Sequence, residues 1–92
     1  MRTGQRDFEI RYESLVYVLM ELRDAAEFGK DAPYVVSSVC SAVANLILAA
    51  GKNWGDTGMT RMMDLVVKYG FHPEYYAASI RVTFISNEKT TT

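Results

Sequence analysis

Along the first third of the chain, apolar side chains recur at Phe8, Tyr12, Leu15, Leu19, Leu22 and Ala26, in steps of four and three. That rhythm lines one side of a helix starting near Asp7, and Gly29 is placed to end it. Phe8, Ile10 and Tyr12 also alternate with Glu9 and Arg11, as a strand would, but the helical spacing persists much longer. Asp7 and Arg11 stand one turn apart in the favourable order. Away from this seam, Ile10, Tyr17 and Met20 project among Glu13, Glu21 and Asp24. Three large apolar groups there predict a second contact. A small domain has few helices of its own to supply it, which points to self-association.

The pattern then changes. Ala32 to Gly51 is a run of twenty residues without a charge, fenced by Asp31 and Lys52. Asp31 and Pro33 suit a helix start, and Gly51 a helix end. The predicted helix, about residues 32–50, has two kinds of face. Val35, Val36, Val39, Val43, Leu46 and Ile47 are bulky; Ser38, Ala42, Asn45 and Ala49 form a line of small residues, with Ser37 and Ser41 beside it. With no charge on either face, this is expected to be the central buried helix. Its length is also just sufficient for a membrane span. Asn45, the serines, Pro33, Tyr34 and the lack of basic flanks argue for a protein core instead.

Residues 51–58, GKNWGDTG, predict a loop. Trp54 within it is either a lid over the core or an anchor for a partner. A third helix is expected over about Thr57–Tyr69, with Met59, Met62, Met63, Val66 and Val67 inward. Gly70 and Phe71 should close it. After Pro73 the period is ambiguous. Helix is expected over 73–79 and continued over 80–86. The alternation of Ile80, Val82 and Phe84 with Arg81 and Thr83 leaves an extended alternative for 80–86. The expected fold is thus all-α: a small three- to four-helix bundle around the central helix, one domain over 1–92 with frayed ends at 1–6 and 87–92.

Composition narrows the function classes. Ten basic and eleven acidic residues give a net charge of -1, with no single-sign block. Neither a nucleic-acid-binding excess nor an acidic mimic is present. The single cysteine, Cys40, excludes an intrachain disulfide and reads as a small buried hydrophobe. No basic segment followed by an apolar run opens the sequence, so the expected location is cytoplasmic.

Candidate chemistry is sparse. His72 has no second histidine or nearby cysteine, so no catalytic, cofactor or metal site is expected, and the chain is not expected to be an enzyme. Gly51-Lys52 follows a helix rather than preceding one, which fails the phosphate-loop pattern. Met63–Val82 approximates a helix-turn-helix, with Gly70 in the turn and His72, Glu74, Tyr75 and Ala78 on the second helix. That face offers little but Arg81 for phosphates, so nucleic-acid binding is the weaker alternative. The primary expectation is a small non-catalytic protein–protein interaction module: an adaptor, regulator or inhibitor of the kind a virus or mobile element encodes. It would pair with itself as a dimer and with another protein, and no membrane is expected as a partner. Expected partner-binding residues are Tyr17, Met20, Trp54, Tyr75 and Tyr76, because aromatic and methionine side chains dominate interface energetics.

Overall fold

A computed structural model describes the backbone of residues 2–76 and 79–85, and the side chains of 9–76 and 79–85. The elements are α1 (Arg2–Phe28), α2 (Pro33–Lys68), β1 (Phe71–Tyr76) and β2 (Ser79–Phe84). The all-α bundle expected from the pattern is therefore wrong. The fold is two helices followed by a two-stranded antiparallel sheet.

The α1 seam packs as its spacing requires. Leu19 and Ala26 are buried, and Tyr12, Leu15 and Leu22 pack partly buried against the same core; the Phe8 side chain lies outside the described residues. Of the ends expected to fray, Met1 and 87–92 also lie outside them. Gly29 follows α1 in a turn, where a Cβ would stand 2.5 Å from Val35 Cγ1. Close approach of the two helices therefore requires a glycine there. The N-cap of α2 is Ala32, with no side-chain cap bond, so Asp31 does not cap as expected.

The loop expected at 51–58 is helical apart from one residue. Gly55 alone leaves helical geometry, at φ 74° and ψ −164°, and splits α2 into two arms. That combination is open essentially to glycine only. The bend is sharp: a Cβ on Gly58 would lie 2.5 Å from Trp54 Cβ and 3.1 Å from the Ala50 carbonyl oxygen. Asn53 Nδ2 donates to the Ala49 carbonyl at 3.0 Å, holding the end of the first arm. The second arm runs beside α1 in the same direction. Arg61 reaches Glu9 (2.9 Å) and the Tyr12 ring (4.6 Å), and Arg23 reaches the Tyr69 ring (5.5 Å). Met62 and Val66 are buried as expected, whereas Val67 faces out and Leu65 takes the inward place.

Gly70, at φ 90°, ends α2 and admits the hairpin. The helix expected over 73–79 and 80–86 is replaced by β1 and β2 wherever the residues are described; 77–78 and 86 lie outside the described residues. Their register runs from Phe71↔Phe84 to Tyr76↔Ser79. Phe71, Ile80 and Val82 are buried and Phe84 is half-buried, so the alternate residues of each strand supply one apolar face. That face lies on α2, and the Phe71 and Phe84 rings meet at 5.1 Å. A helix would have turned these side chains in several directions. The sheet keeps them together and leaves His72, Glu74, Tyr76, Ser79, Arg81 and Thr83 exposed.

Candidate interaction surface

The hairpin has two outer edges, and they differ. Ile85 N–H donates to the Gly70 carbonyl at 2.8 Å, which sets the phase of the ladder. His72/Thr83, Glu74/Arg81 and Tyr76/Ser79 are then the hydrogen-bonded pairs. Phe71, Pro73 and Tyr75 turn their backbone polar groups outward on β1; Ile80, Val82 and Phe84 do so on β2. Pro73 has no N–H, so the β1 edge lacks its central donor. The β2 edge keeps a donor and an acceptor at each outward position.

An open groove of about 680 Å³ runs along that β2 edge. One wall is Ile80 through Phe84, residues of both faces in succession, as expected where a strand presents its backbone. The other wall is the first arm of α2, through Pro33, Val36, Ser37, Cys40, Ser41 and Ala44. Among the described residues, the charged groups at the groove are Lys30 and Arg81. Burial pushes the Cys40 thiol above its ordinary value, so it stays a protonated, unreactive part of the wall.

The expected partner-binding residues sit on three elements. Tyr17 and Met20 are exposed on the outside of α1. Trp54 is half-buried against the core beside the kink. Tyr75 and Tyr76 are both exposed but on opposite faces of β1. The Tyr75 hydroxyl donates to Met59 Sδ, and Tyr76 lies beneath the Arg81 guanidinium at 4.9 Å. None of the five lines the groove. Its signal in the sequence was the Ile80-Val82-Phe84 alternation, which carries weight only once the segment is known to be a strand.

The helix-turn-helix reading loses its second helix, since His72, Glu74 and Tyr75 lie on β1. His72 Nε2 is 3.4 Å from Glu74 Oε2 on the exposed face of the sheet. Among the described residues, no three His, Cys, Asp or Glu side chains gather as metal ligands. An 18-residue window of α2 has mean hydropathy 1.7, so length and composition alone would allow a membrane crossing. Only 28% of that window is buried within the chain. Comparison with protein families, curated proteins and solved structures gives no match.

Proposed function

We propose that the protein is a small non-catalytic protein–protein interaction module, an adaptor, regulator or inhibitor acting in the cytoplasm. One observation carries this reading: a complete strand edge, which no other described residue pairs, borders an open groove. A two-stranded hairpin is marginal alone, and an exposed edge is a ready template for another strand. Main-chain hydrogen bonds then supply affinity, and the groove walls supply selectivity. Tyr17 and Met20 belong to the same reading as a separate contact on α1. Nucleic acid has less support, because its proposed reading helix is a strand and the groove offers two basic side chains.

The test is affinity capture from the native host with the wild-type chain and with Ser41→Arg, which fills the groove from an exposed helix position. Captured proteins should depart with the variant. An unchanged set would show that the groove is not the binding surface. A gel shift at low salt that weakens steeply with added salt would instead favour nucleic acid.

A further inference from the structure

We propose that the occupant of the groove is a second copy of this chain, paired β2 to β2 about a two-fold axis between Val82 and Ser41. The inference rests on the interaction reading above and names its partner.

The β2 edge is self-complementary. Its outward backbone groups belong to Ile80, Val82 and Phe84, which are symmetric about Val82. An antiparallel copy centred there pairs Val82 with Val82, and Ile80 with Phe84 twice. Every outward N–H meets a carbonyl in this register. Arg81 then faces Thr83 of the other copy. A register centred on Arg81 would oppose two like charges and misalign the amides. The β1 edge cannot do the same, because Pro73 removes its central donor. The product is a four-stranded sheet, which meets the strand count that a lone hairpin lacks.

The same axis brings the first arms of α2 together antiparallel. Along the open flank, Tyr34, Ser37, Ser41, Ala44 and Leu48 recur at steps of three and four. Tyr34 and Leu48 are 75% and 41% exposed, and the small residues lie between them. Centred on Ser41, the two flanks place each Tyr34 against the other copy's Leu48. Large side chains in the middle would hold the strands apart; Ser37, Ser41 and Ala44 let the helices approach. This helical stretch is about 21 Å long and adds helix-to-helix contact to the strand edge.

The experiment is sedimentation equilibrium of the full chain over a concentration series, with three variants at exposed positions. Wild type should be a dimer. Thr83→Glu places a carboxylate opposite Arg81 in two equivalent pairs and should tighten the dimer roughly 2- to 30-fold; Thr83→Lys should weaken it by a similar factor. Ser41→Arg should leave a folded monomer, judged by an unchanged circular dichroism spectrum. A dimer indifferent to Thr83 and Ser41 would place the interface elsewhere and overturn the proposal. A wild-type monomer at every concentration overturns it too. If that monomer still loses captured proteins with Ser41→Arg, only the second copy fails as occupant. If capture is also unchanged, the groove fails as the binding surface altogether.

Discussion

The two flanks of the first α2 arm are equally free of charge and have different surroundings. On one, Val43 and Ile47 have no exposed surface, covered within the core cluster. On the other, Ser37 and Ser41 are exposed beside the groove. Absence of charge therefore does not distinguish a covered surface from an open one. Side-chain size separates the flank that the chain covers itself from the flank it leaves exposed. The largest test of this contrast compares Ile47→Ala with Ser41→Ala in dilute protein. Ile47→Ala should destabilise by roughly 2–5 kcal/mol, through lost burial and a cavity that cannot collapse. Ser41→Ala should stay within about 0.5 kcal/mol. Denaturant midpoints measure both, and equal losses would mean that the flanks do not differ.

The kink that makes the closed flank can be attacked directly. Gly55→Ala meets no atom within 4 Å, so its penalty is purely conformational. Forcing a side chain into that backbone region should cost roughly 1–3 kcal/mol. Gly58→Ala should be no milder, because its Cβ meets the Trp54 Cβ and the Ala50 carbonyl, neither of which is a flexible chain end. Gly51→Ala meets only the Met59 Cε terminus closely and should be the mildest of the three. Thermal melts rank them; a harmless Gly55→Ala would show that the two arms are not held at this angle.

How much of this was legible depends on the element. The α1 seam was, because one periodicity ran through it without interruption. The buried line Val39, Val43 and Ile47 was legible for the same reason. The stretch 51–58 misled because three glycines suggest a loop, whereas two of them serve close packing and only Gly55 breaks the helix. The last third misled more. Tyr75, Tyr76, Ala77 and Ala78 favour a helix locally, and the strand is decided by pairing and by the α2 face beneath it. Neither is visible along the sequence. The groove inherits that blindness: helix is expected over its strand wall, and selection of site residues by type finds large side chains and misses an edge made of backbone.

Cys40 sits at the border between the two flanks, and pH reads its position. Burial raises its thiol above the ordinary value of 9.0. The folded state therefore holds the proton more tightly than the unfolded chain. The sign follows: this contribution is fully present below the unfolded value and is lost as pH rises through the folded one. Stability should be flat in this respect through neutral pH and should decline above about 9, and Cys40→Ala should remove that part of the decline. Alkylation with iodoacetamide at pH 8 should be slow in the folded chain and fast in denaturant. An equally fast folded reaction would mean that the groove wall is open to solvent at Cys40.

The smallest effect concerns the closed side, where α1 meets the second arm of α2. Arg61 joins them through Glu9 and the Tyr12 ring, and the Glu9 carboxylate, chiefly by its hydrogen bond, holds the guanidinium above its ordinary value. Both partners are substantially exposed, at 39% and 51% of their side-chain surface. An exposed ion pair contributes only about 0.2–1 kcal/mol, so Arg61→Ala should cost no more than that. Screening separates its parts: the Debye length falls to about 3 Å at 1 M salt, so the ionic share should fade there while packing on Tyr12 persists. Arg61→Ala would therefore differ less from wild type in high salt than in low. A loss far above this range, unchanged by salt, would mean that α1 is held by this residue rather than by Leu19 and Ala26, and that the closed side is closed by charge rather than by burial.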